Sequence, residues 1–130
     1  MKNITIIFIC SLLMSACTTE TAKEPELVGK WQLVAILTDP GDGSGTFQPV
    51  ESEVTISFYS DNTVTSNAPI CQMGSETGTP ATATYSAETQ EIFLNCNGIS
   101  KLSFRIEEEH LIMGNYRCIE ACAQKYKKVK

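Results

Sequence analysis

The sequence predicts an all-β protein, a small up-and-down meander that closes into an eight-stranded barrel, and three observations carry that expectation. From Leu27 onward, apolar residues recur mainly at every second position, the period of a half-buried strand. All five prolines and six of the eight glycines stand between the alternating runs, where turn geometry needs them. The chain has 130 residues, room for one small domain, and at eight strands a barrel is either filled by its own side chains or holds one small ligand.

Residues 1–16, MKNITIIFICSLLMSA, precede that domain, with a positive charge at Lys2, an apolar run from Ile4 to Met14, and the small residues Ser15 and Ala16. This is the pattern of a secretory signal, and it is shorter than the roughly 20 apolar residues of a membrane-spanning helix. Leu13-Met14-Ser15-Ala16-Cys17 resembles the bacterial lipoprotein box. The resemblance implies a signal peptide over 1–16, with acylation (palmitate among the chains) at Cys17, the new first residue. Residues 17–26 carry no aromatic or large aliphatic side chain and read as a lipid-anchored tether, leaving 27–130 as the domain.

The first strand is expected over 30–37, with Trp31, Leu33, Ala35 and Leu37 on one face. Over 53–59, Val54, Ile56 and Phe58 alternate with Thr55, Ser57 and Tyr59, and a short strand over 62–67 follows. Ala83 and Tyr85 mark a weaker row in 82–87, and Ile92, Leu94 and Cys96 a clearer one in 90–96. Leu102, Phe104 and Ile106 alternate with polar residues in 101–108, and strands over 110–117 and 122–129 complete the count. The last segment also fits a helix: Ile119, Cys122, Ala123 and Tyr126 stand at i, i+3, i+4 and i+7, and Ala121, Gln124 and Lys125 favour helices.

Ten Lys and Arg against fifteen Asp and Glu, a formal charge of −5, provide no basic field for a phosphate backbone, so no nucleic-acid partner is expected. The single histidine, His110, follows Glu107-Glu108-Glu109 at a hairpin tip, and nothing sets an activated serine or an orienting group beside it. No catalytic residue, enzymatic activity, cofactor or metal is expected. The glycine-rich run Asp39–Gly45 lacks both the Gly-Lys-Ser/Thr end of a phosphate loop and the Asp spacing and final Glu of a calcium loop. It reads as a connection between the first two strands. Lys125, Lys127, Lys128 and Lys130 read as a solvated face or a protected sheet edge.

Cys10 leaves with the leader and Cys17 takes the lipid, so the domain keeps Cys71, Cys96, Cys118 and Cys122. An even count in an exported domain reads as two disulfides, with three possible connectivities. The meander brings all four to one rim, which favours Cys71 with Cys96 and Cys118 with Cys122. Were 119–126 helical, thiols one turn apart would sit about 6 Å apart at Cβ against about 3.8 Å in a bridge, and the crossed pairings would gain. A four-thiolate zinc site fits poorly, because Cys-x3-Cys is not the paired Cys-x2-Cys spacing.

Leu27-Val28-Gly29-Lys30-Trp31 places a Gly-x-Trp at the mouth of the first strand. With the lipoprotein-type leader, Ile56-Ser57-Phe58, Ser60-Asp61-Asn62-Thr63-Val64 and the closing Cys122 to Val129, it resembles lipocalins and bacterial lipocalin-like lipoproteins over 27–129. The Thr-Asp-Tyr type turn of lipocalins is absent. The resemblance implies a lipocalin-like barrel with a closing strand rather than a helix after Cys122. It also implies that Trp31 plugs the closed end beneath an arginine, for which Arg117 is the candidate, and that the Asp39–Gly45 run lies over the open mouth.

The function that follows is a non-catalytic, lipid-anchored binding protein of the cell envelope, taking a small apolar ligand or a protein at the barrel rim. Candidate ligand contacts are Trp31, Leu33, Ile56, Phe58, Tyr85, Leu94, Phe104 and Met113, with Gly41 to Phe47 as a lid. The alternative is an inhibitor or binding partner of a secreted enzyme, such as a lysozyme or protease, working through a rim loop. Thr18 stands where Asp retains some lipoproteins in the inner membrane, which points to the outer membrane.

Overall fold

The computed structural model describes residues 26–130. The leader, Cys17 and all but the last residue of the 17–26 tether lie outside the described residues.

Nine strands form one antiparallel sheet among the described residues: β1 (Gly29–Thr38), β2 (Phe47–Pro49), β3 (Thr55–Phe58), β4 (Thr63–Ser66), β5 (Ala81–Ser86), β6 (Glu91–Cys96), β7 (Ile99–Glu107), β8 (His110–Gly114) and β9 (Cys122–Lys128). From β3 onward each strand pairs with the next, and β9 returns to β1, with Trp31 opposite Lys128 and Thr38 opposite Cys122. The result is a closed eight-stranded barrel, the lipocalin-like architecture expected, plus one extra strand. The ten residues of β1 are long enough to pair twice on one edge, through Gly29–Gln32 with β3 and through Ala35–Leu37 with β2.

The eight expected strands correspond in order to β1 and β3–β9, and the differences have local causes. The strand expected over 110–117 stops at Gly114, because Asn115 adopts φ 64° and turns the chain. That expected over 101–108 starts two residues earlier, since Cys96 pairs with Ile99 across a turn in which Gly98 has φ 81°. The helical spacing at 119–126 is realised as β9, whose inward residues are Gln124 and Tyr126. Gln124 is polar and faces inward, which broke the two-residue alternation and left a helix-like apolar pattern.

The closed end is filled. Phe58, Tyr85 and Phe104 pack with ring centroids 4.9, 5.4 and 6.2 Å apart, and Trp31, in the same core, is fully buried. The Trp31 indole N–H donates to the Leu27 carbonyl at 2.9 Å, so the segment before β1 closes the floor. Arg117 does not cover the tryptophan; it lies at the opposite end, where its guanidinium donates to the Asn97 carbonyl at 3.3 Å. Lys128, paired across from Trp31 in β9, supplies the cation instead, 5.3 Å from the ring centroid. This explains the Gly-x-Trp. Gly29 has φ +135°, and a Cβ there would stand 2.8 Å from the Lys128 Cε stem.

Candidate functional site

The other end of the barrel is built differently. Residues 67–80, between β4 and β5, fold back over the mouth as a cap. Asn67 starts the fold: its Oδ1 accepts the Thr55 N–H at 2.8 Å, its Nδ2 donates to the Glu53 carbonyl at 2.8 Å, and its own carbonyl accepts the Gly78 N–H at 3.0 Å. Ala68 and Ile70 then bury their side chains in the core. Cys71 is disulfide-bonded to Cys96 at the end of β6, with Cα atoms 6.1 Å apart. Farther along, the Ser75 carbonyl accepts the Ser52 hydroxyl at 2.7 Å, and the Gly74 carbonyl accepts Gln124 Nε2 at 3.2 Å.

Beneath this cap lies a cavity of about 300 Å³. Its walls are Val54 and Ile56 on the β3 side, Ser66 at the end of β4, Met113 of β8, and Gln124 and Tyr126 of β9. The cap lines its other side with residues that include Ile70 and Met73, and the cavity stays partly open to solvent. One wall carries a polar knot: Gln124 Oε1 accepts the Tyr116 hydroxyl at 2.6 Å and the Tyr126 hydroxyl at 3.1 Å, and all three side chains are buried. Burial holds both phenols well above the usual tyrosine range, because the phenolate would lose its water.

Of the eight ligand contacts expected from sequence, Ile56 and Met113 line this cavity. Trp31, Leu33, Phe58, Tyr85 and Phe104 are buried in the packed part of the barrel, and Leu94 is half-buried against it. The cap is also not the segment expected. Gly41 to Phe47 does not line the cavity. Its first five residues are wound around Asp39, whose Oδ1 accepts the N–H groups of Gly41, Asp42 and Gly43 at 2.7, 3.1 and 3.1 Å and whose Oδ2 accepts that of Gly45 at 2.9 Å. These bonds, Gly45 first, lower the Asp39 pKa. Gly45 is required there, since a Cβ would fall 2.7 Å from the Asp39 Cα. The glycines are spent on this turn and not on a lid.

Sequence reasoning missed Ser66, Gln124, Tyr126 and the cap. The register signal for Ser66 was present, since β4 buries Val64 and Ser66 on one face. Its polar side chain hid it among outward positions. The cap carries Pro69, Gly74 and Gly78 in a Ser/Thr-rich stretch and read as a loop.

All four cysteines meet at the mouth, with Cys118 joined to Cys122 across a short rim loop, Cα atoms 6.2 Å apart. At its tip Ile119 is fully exposed. His110 sits at the closed end, with Nδ1 2.9 Å from the Glu108 carbonyl oxygen. Among the described residues, no three His, Cys, Asp or Glu side chains stand together as a metal site.

Residues 27–108 of the chain, more than half of it, match the family model of a lipocalin-like domain. No curated protein and no solved structure matches the chain.

Proposed function

The chain belongs to the lipocalin-like domain family, and we propose that it is a non-catalytic protein that binds a small, largely apolar molecule in the capped mouth of its barrel. The observation that carries this reading is the cavity of about 300 Å³ under residues 67–80. It stands at the small end of ligand cavities, about 300–1,000 Å³, and has the mixture they share, apolar walls with a few fixed polar groups. Native mass spectrometry of the purified protein, with displacement of a fluorescent apolar dye, tests it. A retained small molecule or a saturable displacement is expected, and Val54→Phe, which fills the cavity from the residue before β3, should abolish both. A folded protein with neither signal overturns the reading.

The same proposal places the domain in the cell envelope, held to the outer membrane by lipid on Cys17. The lipoprotein-type leader supports this, and several acyl chains hold a domain on a bilayer where one would not. Labelled palmitate should enter the wild-type chain and not Cys17→Ser; equal labelling refutes the anchor.

A second reading, a binding partner of a secreted enzyme, is favoured by one observation. Ile119 stands fully exposed on the disulfide-closed rim loop, and a partner that covered it would gain the transfer free energy of its side chain from a loop already held in one shape. Under it, Ile119→Ser removes binding to the partner while Val54→Phe does not.

A further inference from the structure

The hydrogen-bonding capacity of the cavity wall is unbalanced. Ser66, only 9% exposed, accepts the Ala68 N–H at 3.1 Å, and its own O–H has no protein acceptor among the described residues. Gln124, 3% exposed, has its oxygen filled by two tyrosine hydroxyls and uses one N–H on the cap carbonyl of Gly74; its second N–H likewise has no protein acceptor. Both residues line the cavity, so two neutral donors are left for whatever occupies it. The barrel side of the wall is otherwise apolar, chiefly Val54, Ile56 and Met113, and the cap side sets Ile70 and Met73 beside Ser75 and the exposed Gln72, Glu76 and Thr77. Among the described residues of the lining, the one charged side chain is Glu76, an exposed carboxylate on the cap.

We infer that the cavity selects a compact, uncharged amphiphile, its acceptor oxygen, carbonyl or hydroxyl, at Ser66 and Gln124 and its apolar body against Val54, Ile56 and Met113. This inference rests on the barrel binding a small ligand. A carboxylate entering the cavity would give up its water for two neutral donors, with Glu76 of like sign above it. An ammonium would bring donors to the donors of Ser66 and Gln124, and its one counter-charge in the lining, Glu76, is exposed and screened by water. A neutral oxygen exchanges water for the same two bonds without that desolvation, and an alcohol can in addition donate to the Tyr126 oxygen.

The test is calorimetry of the purified protein at neutral pH with four probes of equal chain length: 2-octanone, 1-octanol, octanoate and octylammonium. The ketone and the alcohol are expected to bind at least tenfold more tightly than either ion, and octanoate to tighten as pH falls and its neutral acid forms. Ser66→Ala should weaken 2-octanone by about 3- to 10-fold, the range of one neutral hydrogen bond, and leave octanoate unchanged. If octanoate or octylammonium binds as tightly as the ketone, the inference falls while ligand binding stands. Binding by none of the four overturns both.

Discussion

The two ends of the barrel handle the same topology in opposite ways. At the floor, Trp31 and the Phe58, Tyr85 and Phe104 cluster fill the interior, and the one polar group on the indole is satisfied by the backbone at Leu27. At the mouth, the inward positions of β4 and β9 carry Ser66 and Gln124, and space remains beneath a cap drawn down by a disulfide and two hydrogen bonds. An aromatic floor contributes packing and closes the barrel. Polar inward residues cannot pack against one another as hydrocarbons do, so they leave space and a hydrogen-bonding pattern. Stability is thus concentrated at one end and recognition at the other.

That division predicts unequal responses. Trp31→Ala should remove about 3–5 kcal/mol of unfolding free energy in denaturant titration, whereas Met113→Ala, whose side chain already faces a void, should lose about 2 kcal/mol. Equal losses would break the contrast. The disulfides come next. Cys71→Ser with Cys96→Ser opens a 25-residue separation and should cost about 3–4 kcal/mol in the chain-entropy account; Cys118→Ser with Cys122→Ser opens a separation of 4 and should cost about 2 kcal/mol. Because only the first pair ties the cap, only its loss should also abolish dye displacement.

The packed interior and the pairing of the four cysteines at the mouth were legible in the sequence, and the polar lining of the mouth was not, for one physical reason. Strand alternation reads inward residues by their hydrocarbon character, so Trp31, Leu33, Ile56 and Phe58 declared themselves. Ser66 and Gln124 obey the same period yet look like surface residues. β2 escaped because Phe47–Pro49 is too short to alternate, and its proline is tolerated on a strand that pairs on one side only. The cap escaped because its contacts run to Thr55, Cys96 and Gln124, partners distant in the chain. For the same reason Lys128, and not an arginine, was hidden as the cover of Trp31 until register placed it there.

Titration offers a smaller, sharper probe of the mouth. Tyr116 and Tyr126 are held neutral by burial, with pKa values raised in the fold, while in the unfolded chain they ionise near the ordinary tyrosine value of about 10. Below that pH both states are protonated and the contribution is intact. As pH rises beyond it, the unfolded state loses protons that the folded state keeps, so stability should fall by about 1.4 kcal/mol per pH unit for each tyrosine. Denaturant midpoints between pH 9 and 12 check the slope, and Tyr116→Phe should reduce it. A slope unaffected by that change would place the loss in the filled end.

The smallest effect is expected at the floor's outer edge, where packing decides nothing. Glu107 pairs with His110 across a two-residue turn, and both central residues, Glu108 and Glu109, have positive φ, 49° and 65°. That is the geometry of the tight hairpin turn that asparagine and glycine favour, since an L side chain crowds its own backbone there. Glu109→Gly relieves the crowding but frees the unfolded chain, two opposing terms of about 1–2 and about 0.5–1 kcal/mol. The net should be a gain of about 0.5–1 kcal/mol, seen as a higher Tm with unchanged ligand affinity. Loss of affinity in this variant would mean that the closed end communicates with the cavity across the aromatic cluster, contrary to the separation of roles drawn from the packing.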